Sequence, residues 1–177
     1  MKTLLLGLVL GIVFVFGGAY LYFSLGWAPV AASAPPMPFE EKMASMALHA
    51  RLAKEAPSRV PVPADETNLS AGAQIYRGHC AVCHGLAGRP ETAAAKGMFP
   101  KPPQFLQGHG VTDDPVGETY WKAKNGIRLT GMPGYGSSLS DQQLWQVSLL
   151  LAHADKLPAS VRMALSAAPA TGQTALK

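Results

Sequence analysis

Charge is missing from a long stretch of this chain. No Asp, Glu, Lys or Arg occurs between Thr3 and Pro38, and charged residues are only 15% of the whole against 48% apolar. That is too little charge for a soluble globule throughout, so part of the apolar share belongs to a special segment. Cysteine is scarce as well. Two residues in 177 exclude a disulfide-dense scaffold. Alternating apolar and polar runs are lacking, which excludes a sheet-based fold and leaves an all-α one. No run of basic residues occurs either. The formal charge is +4 and the pI about 9.2, yet Arg77, Arg89, Lys96, Lys101, Lys122, Lys124 and Arg128 are scattered, so a nucleic-acid partner is excluded. The length suits one ordinary domain with an appendage.

What is present begins with Thr3–Phe23, an unbroken apolar run. A helix of that length spans about 31 Å, enough for about 30 Å of hydrocarbon. Tyr20, Tyr22 and Trp27 stand at its outer end, where amphipathic rings favour the interface, and Lys2 is the only inner-side charge. Residues 1–27 are therefore expected to anchor the chain in the cell inner membrane as a single pass, with the remainder on the periplasmic (outer) side. The competing reading is a cleaved signal, since Ala32-Ser33-Ala34 resembles a processing site. The run exceeds the usual 7–15 residues of such a signal, and Pro35 and Pro36 would follow the cut directly.

Residues 28–66 hold seven of the fifteen prolines and form an extended linker. Within it, 40–56 is proline-free, opens on Glu40 and Glu41 and carries Lys54 near its end, which predicts a short helix. Met43, Met46, Ala47, Ala50 and Ala53 share one face, with Leu48 and Leu52 on the other; a solvated spacer helix without a partner is an equal reading. The compact domain is expected over 67–158. Helices are predicted at Leu69–Gly78, with Ile75 and Tyr76 inward, and between an Asp114 cap with Pro115 in the first turn and Gly126. A third is predicted at Asp141–Ala154, opened by a Ser140/Gln143 capping box. Residues 159–177 are expected to be a flexible tail with at most one helical turn around Val161–Leu165.

The chemistry lies in Cys80-Ala81-Val82-Cys83-His84. C-x-x-C-H is the attachment pattern of one covalent haem c. Cysteines one helical turn apart can each add to a porphyrin vinyl group, and the next residue can then bring an imidazole nitrogen to the iron. A bare disulfide leaves His84 unexplained. A zinc site wants more thiolates than the chain has. A thioredoxin-like motif needs a βαβ surround. The opposite face of the iron has candidates in Met98, His109, Met132 and His153. Met132 is favoured because Thr130-Gly131-Met132-Pro133-Gly134 is a glycine-flanked loop between two helices. Met98 reads as packing and His153 as capping a helix end.

The helix that ends in this motif, the TGMPGYG loop and the closing LSDQQLWQVSLLLAHADKLP helix together resemble a class I c-type cytochrome over 68–158. The resemblance implies a small helical globule around covalent haem c. It implies thioethers at Cys80 and Cys83, axial ligation by His84 and Met132, and single-electron transfer without a catalytic residue. It further implies that Gly72 or Tyr76 crosses Trp145 or Leu149, and that the Pro102 or Pro103 carbonyl orients His84. Phe105, Leu106, Trp121, Ile127 and Tyr135 are expected to bury the ring. The chain then reads as a membrane-anchored electron carrier between a redox donor and an acceptor. A fixed subunit of a larger membrane redox complex is the second reading, and a haem-based ligand sensor the third. The domain has eight Lys/Arg and six Asp/Glu, and two propionates would cancel the difference, so strong electrostatic steering is not expected.

Overall fold

The computed structural model describes residues 1–107 and 110–166, all of whose regular elements are helical. It divides into two units, Met1–Ser45 and a second that starts at Met46.

The first unit is dominated by α1, Lys2–Ser24. It is apolar on every side and buries nothing within the protein. A helix apolar all round needs an apolar surround, and its 23 residues extend about 34 Å. It therefore fits a single-pass anchor. Helix α2, Glu40–Glu55, begins in this unit with Glu40 and Glu41 in its first turn and continues into the next.

In the second unit α2 is no free spacer: Leu52 is 2% exposed. Helix α3, Glu66–Ile75, starts three residues before the predicted Leu69 because Asp65 caps it, its carboxylate accepting from Asn68 N at 2.8 Å. A π-turn, Tyr76–Cys80, then leads into the single turn α4, Ala81–His84. A second short turn, α5 at Ala93–Lys96, has Thr92 as its cap. Helix α6, Val116–Asn125, ends at Gly126 with φ +70°, but its N-cap is Pro115 rather than Asp114. The Asp114 carboxylate instead pairs with Lys122 at 3.5 Å. Helix α7, Asp141–Ala152, opens on the expected Ser140/Gln143 capping box and stops two residues short of Ala154. His153 Nδ1 there bonds the Leu149 carbonyl at 2.9 Å.

Helix α7 is the hub, packing on α3 and on α6. Leu144, Val147 and Leu150 are almost wholly enclosed. The α3–α7 crossing is close at Gly72, where a Cβ would strike the Gln146 carbonyl and Leu150. The glycine is as expected; its partners are Gln146 and Leu150 rather than Trp145 or Leu149. Trp145 stacks on Tyr120 of α6 at 4.1 Å instead. Residues 159–166, expected in the tail, form helix α8, Ala159–Ser166. It packs on α3 with Val161 at 0% and Leu165 at 2% exposure, and Ser160 hydrogen-bonds Glu66. Four residues separate those two apolar side chains, one helical turn, so both face the core. The remainder of the predicted tail, 167–177, lies outside the described residues.

Candidate cofactor site

A cavity of about 260 Å³ opens in the second unit. Cys80, Cys83, His84 and Met132 all line its wall. The four residues singled out in the sequence thus meet around one space. Each is placed for a local reason.

The π-turn and α4 carry the cysteines and His84 onto the wall. Tyr76, at 0% exposure, fixes the end of this segment: its hydroxyl donates to the carbonyls of Gly85 at 2.8 Å and His84 at 3.1 Å. His84 Nδ1 lies 2.8 Å from the Pro103 carbonyl oxygen. A carbonyl only accepts, so Nδ1 carries the proton and Nε2 keeps a free lone pair. Of the two prolines, Pro103 is the one that makes this bond. Phe105 stacks on the imidazole at 4.4 Å. Burial pushes the His84 pKa down, and the Pro103 bond opposes this only in part, so the ring is neutral at neutral pH. Burial first, and Cys83 second, push the Cys80 thiol up to about 12. The free side chain is therefore a thiol and not the thiolate that metal binding demands. Gln104 completes the arrangement, its amide donating to the carbonyls of Cys83 at 3.0 Å and Pro102 at 3.1 Å.

Met132 is carried by a loop laid against the end of α6. Tyr135 N bonds the Ala123 carbonyl and Gly136 N bonds Lys124, both at 2.9 Å. Thr130 Oγ1 accepts from Met132 N at 3.1 Å. Tyr135 reaches across, its hydroxyl donating to His79 O at 2.8 Å, and so ties this loop to the π-turn.

The sequence reading missed parts of the wall. Met98, taken as packing, also lines the cavity, with its methyl against Gly131. Leu48 of α2 and Thr119 of α6 line it too. Phe105, Ile127 and Tyr135 are there as expected, but Leu106 and Trp121 are not. The Trp121 indole donates instead to Glu55. His153 is occupied with its own helix end, and His109 lies outside the described residues.

The family model described as cytochrome c oxidase, cbb3-type, subunit III matches residues 67–149. Residues 67–149 are a class I c-type cytochrome domain. No curated protein matches the chain. Among solved structures, a chain of the reducing HAO-like protein complex of Kuenenia stuttgartiensis is similar at 22% identity and a TM-score of 0.48. The match covers 69% of this chain and 52% of that one, so it spans about half of that structure's chain.

A cytochrome c domain implies haem c and electron transfer. The cavity suits that group. Its walls are overwhelmingly apolar, as a porphyrin face requires. Its donor atoms are thiols, a neutral imidazole and thioethers, all compatible with iron and vinyl chemistry. Thr119 Oγ1 is buried and lacks a hydrogen-bond partner among the described residues. A hydroxyl left so in an apolar wall is costly unless the occupant offers an acceptor.

Proposed function

We propose that the protein is a membrane-anchored monohaem cytochrome c that passes single electrons between redox proteins at the outer, periplasmic face of the inner membrane. The observation that carries the site assignment is the Pro103 bond, which leaves His84 Nε2 as the ring nitrogen free for a metal in a cavity shared with Met132. When bound, haem c supplies a one-electron ferric/ferrous couple.

Cys80 and Cys83 would hold the ring by thioethers, so that it stays attached even when the domain loosens. His84 and Met132 would hold the iron. Two such side chains in place would leave the site little changed between oxidation states, which favours fast electron transfer. A thioether opposite imidazole favours the ferrous state more than a second imidazole would. The apolar walls act in the same sense, since they exclude water that would stabilise the extra ferric charge. Helix α1 supplies the anchor, and tethering raises the local concentration near membrane-bound donors and acceptors.

A fixed place in a larger redox complex is the second reading. The exposed Met43 and Met46, three residues apart on α2, favour it by offering an apolar face to a neighbour. Acid–acetone treatment of the denatured chain tests the first reading. Pigment that stays on the polypeptide supports covalent attachment, and its loss on Cys80→Ser with Cys83→Ser assigns the thioethers. Complete release of pigment from the unaltered chain overturns the proposal. Purification in mild detergent separates carrier from subunit, because a stoichiometric partner that co-purifies favours the subunit.

A further inference from the structure

The residues before 67 lie outside the family match, yet some of them close the cavity. Leu48 of α2 is part of its lining. One turn on, Leu52 is 2% exposed, so this face of the helix is packed down. The end of the helix is fastened to α6 by a side chain: Trp121 Nε1 donates to Glu55 Oε2 at 3.1 Å, while Arg51 holds Glu55 Oε1 at 2.9 Å. Two residues beyond, the Pro57 carbonyl sits so close to α6 that a Cβ on Gly117 would collide with it. Gly117 and Trp121 flank Thr119, which is itself in the cavity wall.

We propose that residues 48–57 are an added wall of the haem cavity, in which Leu48 is a positioning residue that keeps water from the haem edge on the α6 side and so raises the reduction potential. The inference rests on the haem assignment above. Its physical basis is charge: the ferric ring carries one more positive charge than the ferrous one, and water at the edge stabilises that charge. A leucine in place of water removes that stabilisation and shifts the couple toward the ferrous side. The same wall would hinder small anions from entering the cavity past Leu48. A spacer helix packed for stability alone predicts neither effect.

The test uses the full-length holoprotein in detergent, with midpoint potentials from redox titration and the rate at which added cyanide displaces the native ligand of the ferric form. Leu48→Asn is expected to lower the potential and to speed cyanide binding several-fold, with Leu48→Met restoring both toward the wild-type values. Met46→Asn, at an exposed position on the same helix, is expected to change neither. Glu55→Ala, a change at an exposed position, should move both quantities in the same direction as Leu48→Asn by releasing Trp121. Wild-type potential and cyanide rate in Leu48→Asn and Glu55→Ala, with covalent pigment present, would overturn the wall while leaving the haem assignment intact. A denatured chain without covalent pigment overturns the assignment itself, and the wall with it.

Discussion

Two methionines line one cavity, and only one is placed on a loop secured at both ends. Met132 is held through Thr130 Oγ1 on its own amide and through the Tyr135 and Gly136 amides that follow. Met98 touches the same loop with its methyl group. Met132→Ala is therefore expected to abolish the weak far-red sulfur–iron band of the ferric protein, and Met98→Leu to keep it; an optical spectrum of each variant decides. The proximal side depends on Tyr76. Its hydroxyl serves two carbonyls directly after the haem motif, in a position without solvent. Tyr76→Phe leaves those carbonyls short of a buried donor, which costs about 1–3 kcal/mol. Denaturant unfolding of the holoprotein should show that loss, with the far-red band unchanged.

At the scale of elements, α6 and α7 are joined by one small polar cluster. Tyr120 OH donates to Asp141 Oδ1 at 2.8 Å, and Lys124 Nζ donates to Tyr120 OH at 3.0 Å and to Asp141 Oδ1 at 2.9 Å. The Lys124 bond, then the Tyr120 bond, hold the Asp141 carboxyl below its ordinary 3.8. Folded protein therefore binds that proton less readily than unfolded chain, and the contribution to stability is full above 3.8 and fades as pH falls through the lowered value. Lys124 is raised above its ordinary 10.5, chiefly by Tyr120 and then by Asp141, so its contribution is full below 10.5 and fades as pH rises through the higher value. Asp141→Asn should lower the melting temperature between those limits, and the difference should fade as pH falls through the lowered Asp141 value. The difference should shrink in high salt, because the charges are exposed. Helix α8 offers a stronger test of an element. Leu165→Ala, at 2% exposure, is expected to cost about 2–5 kcal/mol, whereas a loose tail would tolerate it freely. This helix also marks the limit of what sequence reveals. Caps and glycine stops are local, so α7 and the end of α6 were legible residue by residue. The haem motif and the Met132 loop were legible because their chemistry demands rare residues at fixed spacing. Which surface a short amphipathic stretch covers is not local. Leu48 and Leu52, or Val161 and Leu165, show one apolar turn each and say nothing of the partner. The choice of Pro103 over Pro102 likewise depends on how the chain returns past His84, which no adjacent residue specifies.

For the whole molecule the question is what the first unit does for the second. The unit that holds the cavity begins at Met46, and it includes Leu48, Leu52 and Glu55, whereas the family-matched part begins only at 67. Three forms of the chain therefore differ in defined ways. The full chain carries α1, 23 residues long and without a charge after Lys2. It is expected to remain in the membrane fraction after an alkaline carbonate wash, and a band of reduced size in the soluble periplasmic fraction would instead mark α1 as a cleaved signal. A chain exported behind a removable leader and starting at Met46 should be released by osmotic shock with the potential of the full protein, since every residue lining the cavity is retained. A chain starting at Asp65 keeps the α3 cap but lacks Leu48 and Glu55. If the wall acts as argued, that chain should load haem yet show a lower potential and faster cyanide binding, because the α6 side of the ring then meets solvent. Anchoring and haem tuning are thus carried by separable stretches of the N-terminal segment, and comparing the three forms by fractionation and redox titration measures each without the other.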